Sequence, residues 1–198
     1  MNNQDLLEQY KIGSLDHMTH IDNLESILKY GLFAHSNPYK KRDISNIDVN
    51  NRRNKQESIY NRNIHDYVPF YFNPRNAMMY RNKDENVVVL AFSRNLIFAK
   101  NALFSNKNAS ADTVQFFNSA QQLENLKWNY VWSDSWYNKI NVTEVKQAMM
   151  SEVLVYSHVP INNLIGFYAK NQSMKQKLIK KYNISANKIE INANMFFA

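Results

Sequence analysis

The sequence predicts an α+β domain around a mostly antiparallel or split β-sheet, and three observations carry this. Segments of helical and strand period are mixed without the strict alternation of a doubly wound parallel sheet. Asn86-Val-Val-Val-Leu-Ala-Phe92 is apolar on both faces, the mark of a central strand. The chain has 198 residues, 44% apolar and 13% aromatic, enough to bury one core without staples. Neither a repeat nor a linker divides it, so residues 1–198 are read as a single domain.

The elements follow in order. Leu15-Asp-His-Met-Thr-His20 alternates and reads as a strand whose polar residues share a side. Asp22 and Glu25 form a capping-box pattern ahead of Leu24, Ile27 and Leu28, with Gly31 as a C′ stop, so 22–30 reads as a short helix. Residues 36–66 are polar and rich in Asn and Arg, and a loop of that length is usually functional or disordered. Tyr67-Val-Pro-Phe-Tyr-Phe72 reads as a strand, with Pro69 placing it at an edge or bulge because proline donates no ladder bond. Pro74 is read as opening a helical turn over 75–81. A helix is expected over 113–127 with Val114, Phe117 and Leu123 buried. The run 128–136 holds all three tryptophans and reads by default as a packed turn, base stacking being the minority option. Residues 142–150 read as helix, 152–156 and 164–168 as strands, 173–182 as helix and 188–191 as a last strand.

Composition removes several chemistries. Without cysteine there are no disulfides, zinc fingers, iron–sulfur clusters or thiol nucleophiles. Three glycines, Gly13, Gly31 and Gly166, cannot build a P-loop or a G-x-G-x-x-G turn, which excludes Walker-type and Rossmann-type nucleotide binding. A G-x-S-x-G elbow is absent. The N-terminal segment has neither a cationic region nor an apolar run of signal-peptide length, and no stretch approaches a bilayer span, so a cytoplasmic protein is expected. Lys and Arg outnumber Asp and Glu by 24 to 17, a net +7 that favours polyanionic partners. The basic residues gather at 39–42, at Arg52, Arg53 and Lys55, and at Lys175, Lys177, Lys180 and Lys181, the last group reading equally well as a solvated helix face.

The remaining polar residues of interest lie in apolar sequence. Glu152 opens the run Glu-Val-Leu-Val-Tyr and is either solvent-facing at a strand edge or buried and functional. His17 and Thr19 share one strand face and could address a single ligand, although a histidine there is commonly a satisfied core residue. His17, His20 and Asp22 lack an evident third partner for a metal, and none is expected.

Taken together, His17-Met-Thr-His-Ile-Asp-Asn-Leu24, Asn51-Arg-Arg-Asn54, Asp66-Tyr-Val-Pro-Phe-Tyr-Phe-Asn-Pro-Arg75, Lys146-Gln-Ala with Ser151-Glu-Val-Leu-Val155, and the aromatic end Asn194-Met-Phe-Phe197 resemble the DarT family of DNA ADP-ribosyltransferase toxins. The likeness runs nearly end to end. It implies an ADP-ribosyltransferase-like fold, a split mostly antiparallel sheet with flanking helices, that binds NAD as ADP-ribose donor without a Gly-rich loop or a metal. By this resemblance Glu152 and Arg53 are catalytic, and His17 and Thr19 bind NAD with Asn23 nearby. Tyr71 and Tyr80 are read as stacking nicotinamide or a splayed base, core packing being their rival explanation, and Arg52, Lys55, Tyr67 and Arg75 as contacting DNA. The family's Ser-Pro after the aromatic segment is replaced here by Asn76-Ala77, which bears on how the next helix starts.

The implied reaction is transfer of ADP-ribose to a base in single-stranded DNA by a monomeric toxin, with a macrodomain antitoxin as partner. Loss of nicotinamide leaves an oxocarbenium-like centre that an anion such as Glu152 stabilises. RNA or protein acceptors, and a non-catalytic basic nucleic-acid binder, are the competing readings.

Overall fold

The structure is a computed structural model and describes residues 2–35 and 37–197. Its ten strands are β1 (Leu15–His20), β2 (Leu32–Phe33), β3 (Tyr67–Tyr71), β4 (Val87–Phe92), β5 (Leu103–Ser105), β6 (Phe116–Phe117), β7 (Glu152–Tyr156), β8 (His158–Val159), β9 (Leu164–Ala169) and β10 (Ile189–Ile191). The α-helices are α1 (Asn3–Gln9), α2 (Leu24–Tyr30), α3 (Ile47–Arg52), α4 (Ala77–Arg81), α5 (Trp128–Val131), α6 (Val142–Ala148) and α7 (Gln172–Tyr182). Eight strands form one sheet in the order β10-β9-β4-β1-β3-β7-β5-β6, and β2 pairs with β8 apart from it. Every pairing is antiparallel except β9 with β10. This is the α+β, mostly antiparallel sheet that the sequence predicts.

Strand β4 is buried along its whole length, as its two-faced apolar run requires. Val88, Leu90 and Phe92 enter the main core with Leu15, Phe70 and Val153, while Val87 and Val89 enter a second core with Met18, Tyr71, Met79 and Met149. Alternation along β4 therefore divides the domain into two packed layers. A third, smaller cluster gathers Ile64, Tyr67, Leu103, Phe116 and Leu154 at the far side of the sheet.

The centre of the sheet contains an opening. Strand β1 runs fully paired with β4 from Leu15 to His20, yet it pairs with β3 only at Asp16 and Tyr71. Pro69 lies in this interior strand, opposite Leu154 of β7, and not at the sheet edge expected from its missing N–H. The N and C=O of one strand residue point to the same side, and Pro69 O faces β1, where it accepts from His17 Nδ1 at 2.8 Å. The missing donor thus falls on the side where the strands have parted, and the β3–β7 ladder loses nothing.

Three further local expectations are corrected. The Asp22–Glu25 capping box does not form: Ile21–Asn23 is a 3₁₀ turn, and His20 Nδ1 accepts the Asp22 N–H at 3.2 Å. Helix α2 still ends at Gly31, whose φ of +83° and 2.5 Å clearance from its would-be Cβ to Val159 O admit no side chain. Pro74 does not open a helix. Asn76 caps α4 by accepting from Met78 N and Met79 N, so the residue that departs from the family pattern supplies its own start signal. The helix expected over 113–127 is replaced by β6 and a 3₁₀ segment, Ala120–Asn125, because Phe116 and Phe117 pair with β5 and point into two different cores.

Asp16 stands inside this framework, 3% exposed, with Ser14 Oγ donating to it at 2.8 Å and, among the described residues, no ion-pair partner. Burial pushes its carboxyl up to about 7, against the opposing Ser14 hydrogen bond. Between about pH 4 and 7 the folded chain holds a proton that the unfolded chain has released, so stability falls as pH rises through that window and levels off above it. The loss is on the order of 4 kcal/mol. Urea melts from pH 4 to 8 are expected to show this slope in the native chain and a flattened one in Asp16→Asn; equal slopes would remove Asp16 as its source.

Candidate active site

A cleft of about 940 Å³ opens where β1 and β3 part. His17, Met18 and Thr19 all line it, which alternation would forbid in a fully paired strand; the uncovered edge of β1 makes it possible. The His17 contact to Pro69 fixes the ring's tautomer. A carbonyl only accepts, so Nδ1 carries the proton, and burial lowers the imidazole pKa, leaving Nε2 as a neutral acceptor. Thr19 Oγ1 accepts from Asn23 Nδ2 at 3.0 Å and keeps its own proton to donate.

Asn23 is a clamp. Its Nδ2 also donates to Arg42 O at 2.7 Å, and its Oδ1 accepts from Lys41 N and Arg42 N, both at 2.9 Å. All four of its hydrogen-bonding positions are occupied, so it shapes the cleft wall by holding residues 41 and 42 against Thr19.

Glu152 begins β7 opposite Tyr71 and is wholly buried, so it does not face solvent at a strand edge. Arg53 Nη1 donates to Oε1 at 3.1 Å and Oε2 at 2.9 Å, and Ala109 N donates to Oε1 at 3.0 Å. The Glu152 N–H is held in turn by Ser105 Oγ at 3.3 Å. Arg53 is the C-cap residue of α3, 12% exposed at the side chain, and it lines the cleft, whereas Glu152 lies behind it. Among the described residues its Nη2, which is buried, has no hydrogen-bond partner. A buried guanidinium nitrogen with a vacant donor beside a cleft is a ready contact for a phosphate or a base carbonyl. Burial, then the Glu152 charge, raises the Tyr71 pKa, so this phenol stays protonated; it donates to Met78 Sδ.

The polar stretch, described from residue 37 to 66, is the opposite wall, residue 36 lying outside the described residues. Asn46 caps α3, and His65 Nε2 donates to Asn50 O at 2.9 Å while its ring stacks on His35 with centroids 4.3 Å apart. Burial, ahead of the neighbouring charges, lowers the pKa of both histidines. Glu57, nearly fully buried, folds the return segment around itself, accepting from Ile59 N, Tyr60 N, Arg62 N and the Tyr67 hydroxyl.

The four expected DNA contacts separate. Arg52 is exposed at the cleft. Lys55 Nζ donates to Ser110 O and Ala111 O, tying this wall to the loop that supplies the Ala109 N–H. Tyr67 is buried with its hydroxyl engaged by Glu57, so it presents little to a ligand. Arg75 donates to Asp134 O, Asn194 O and Phe196 O and lies over the Phe197 ring, anchoring the C-terminal segment. Tyr80 is 40% exposed at the rim beside Trp136, Tyr137 and Phe197. Trp128 and Trp132 donate to Leu123 O and Tyr10 O and pack as the default reading holds, whereas Trp136 lines the cleft. Sequence reasoning missed Ser105, Glu57 and the backbone of Ala109; a main-chain donor leaves no sequence signal.

A family model described as ssDNA thymidine ADP-ribosyltransferase, DarT, matches residues 17–197. A DNA ADP-ribosyl transferase of Thermus sp. strain 2.9 is 32% identical over 179 residues, covering 83% of this chain and 84% of its own. The solved structure of Thermus sp. 2.9 DarT with ADP-ribosylated ssDNA superposes with a TM-score of 0.83 at 25% identity, covering 94% of this chain and 97% of that one. A DNA ADP-ribosyl transferase–DNA ADP-ribosyl glycohydrolase fusion protein of Thermosipho africanus is 24% identical over 197 residues, 87% of this chain and 46% of the fusion.

The clamp makes a specific expectation. Asn23→Ala strands the Lys41 and Arg42 amides and is expected to destabilise the fold by about 2 kcal/mol in a urea melt. A loss below about 0.5 kcal/mol would show that the 41–42 segment is held by other contacts.

Proposed function

Since the chain belongs to the DarT family of single-stranded-DNA thymidine ADP-ribosyltransferases, we propose that Glu152 and Arg53 are its catalytic pair and that NAD lies in the cleft between β1 and β3. The enzyme transfers ADP-ribose from NAD to a base in single-stranded DNA and releases nicotinamide. The observation that carries the site assignment is the buried Arg53–Glu152 pair at the cleft floor, joined across 99 residues of sequence.

The chemistry follows from the geometry. His17 Nε2 and the Thr19 hydroxyl offer an acceptor and a donor on the uncovered edge of β1, where they orient the NAD ribose and amide groups. As the bond from C1′ of the nicotinamide ribose to nicotinamide breaks, positive charge develops on C1′ and the ring oxygen. The Glu152 carboxylate, removed from water, stabilises that charge more strongly than a solvated anion would. Thymine has one ring N–H available, and its nitrogen forms the new bond to C1′ while the proton passes to Glu152. For this, Arg53 must turn part of its guanidinium from Glu152 to the substrate, and its unpartnered Nη2 is placed to begin that exchange with a phosphate or a thymine carbonyl.

Extruding a base is cheap in a single strand, which suits a cleft that encloses its target. The partner we propose is a glycohydrolase antitoxin that removes the modification, supported by the Thermosipho fusion in which the two activities share a chain. Among the described residues no helix is long and apolar enough to cross a membrane.

Glu152→Gln is expected to lower transfer by a factor of at least about 10³, read by intact mass of a thymidine-containing oligonucleotide incubated with NAD. Because Arg53 loses a charged partner but can turn toward the cleft, the fold is expected to lose only about 1–3 kcal/mol. Transfer at the native rate would exclude Glu152 from the chemistry. Arg53→Ala is expected to reduce transfer comparably, and a selective rise in the KM for NAD would place its main contact on the dinucleotide.

A further inference from the structure

One surface feature is left over by this account. Beyond the cleft rim, the turn between α5 and α6 presents Ile140 completely exposed, Tyr137 at 50% and Val142 at 43%. Tyr137 packs against Trp136 at 5.2 Å between ring centroids and meets Tyr80 edge-on at 6.1 Å, so the rings brace one another. Cations accompany them: Lys146 lies 5.6 Å from the Trp136 centroid and Lys83 5.8 Å from that of Tyr80. Lys139, next to Ile140, is exposed.

The other exposed tyrosines are differently placed. Tyr30 and Tyr39 stack on each other at 4.4 Å, and Tyr156 is covered by Arg62 at 4.1 Å, so each already has a ring face occupied. Tyr137 is braced on its inner side by Trp136 and Tyr80 yet stays half exposed, and Ile140 is completely exposed. Tyr137 and Val142 line the same cleft as Arg53 and Tyr71, while Ile140 lies outside it. Ile140 is thus outside the surface that a dinucleotide in the cleft would touch. A polymer whose target base enters the cleft must continue past the rim, and braced aromatic faces flanked by lysines are what a single strand takes.

We propose that the Tyr137–Ile140 ledge stacks a nucleobase adjacent to the target thymidine, holding the DNA strand across the cleft mouth. This rests on the reading of the chain as a DNA-modifying enzyme. The ledge residue supplies a flat apolar face, the neighbouring lysines meet the phosphates on either side, and the target base is thereby fixed in register with Glu152. Recognition through stacking tolerates any base at the flanking position and requires only that a base be present.

The experiment separates the ledge from the reaction. Fluorescence anisotropy without NAD measures binding of wild-type, Tyr137→Ala, Tyr137→Phe and Ile140→Ala proteins to a labelled thymidine-containing oligonucleotide, and to copies abasic at each position flanking the thymidine. Tyr137→Ala is expected to weaken binding about tenfold and Ile140→Ala several-fold, with Tyr137→Phe close to wild type. One abasic copy is expected to bind weakly to wild type and to show no further loss in Tyr137→Ala. All these side chains are exposed, so folding is expected to be unchanged, checked by Tm. Equal losses on the intact strand and on every abasic copy would overturn the proposal, as would no loss at all. So would a rise in the KM for NAD, which would give the ledge to the dinucleotide, or a sedimentation shift showing that Tyr137→Ala breaks a dimer. Intact-mass analysis with NAD runs beside it: DNA modified normally by variants that bind normally removes the ledge alone, whereas wild type that neither binds nor modifies DNA removes the functional reading as well.

Discussion

The cleft between β1 and β3 depends on strand pairing that is withheld. Strands β1 and β3 meet at Asp16 and Tyr71 and then separate, and proline at position 69 leaves nothing to donate across the gap. His17 uses the carbonyl that the gap exposes, so one contact both satisfies the strand and sets the imidazole tautomer. Two features of the cleft follow from this opening: three successive residues of β1 reach it, and the Glu152 end of β7 comes within reach of a helix from the opposite wall. Strand β4 stays fully paired with β1 and β7 with β3, so each side of the gap is backed by a continuous ladder.

Three buried carboxyl groups illustrate how donor number decides a buried acid's role. Asp16 has one hydroxyl donor, and burial pushes it up to about 7. Glu57 accepts from three backbone amides and a phenol and organises a turn. Glu152 has a guanidinium and one amide, and the guanidinium is the donor that can leave, because Arg53 also faces the cleft. For the catalytic role proposed for Glu152, an anion in a dry site needs a removable counter-charge: a fixed one would neutralise it, and none at all would favour the protonated form.

Local sequence rules held where a segment is decided by its own faces. The two-faced run at 87–92 became β4 at its expected place because it buries both faces, whereas 15–20 became β1 without its one-sided polar pattern, since Asp16 and Thr19 are buried on opposite faces. Local rules failed where a distant partner competes. Phe116 and Phe117 left the expected helix for β5, and Pro69 became interior because the gap beside it makes its missing N–H harmless. The His20 ring displaced the Asp22–Glu25 capping box by reaching the Asp22 amide first.

By itself the sequence determined the fold class, the exclusion of Gly-rich nucleotide loops and the residues that carry the family likeness, since each depends on residue identity and short-range order. Only the tertiary structure decided what those residues are free to do. Asn23 is saturated by the 41–42 segment, Tyr67 is engaged by Glu57, Arg75 by three carbonyls, and Arg53 covers Glu152 from 99 residues away. Hydrogen-bond saturation and charge shielding depend on which groups come within about 3 Å, and chain order does not encode that distance.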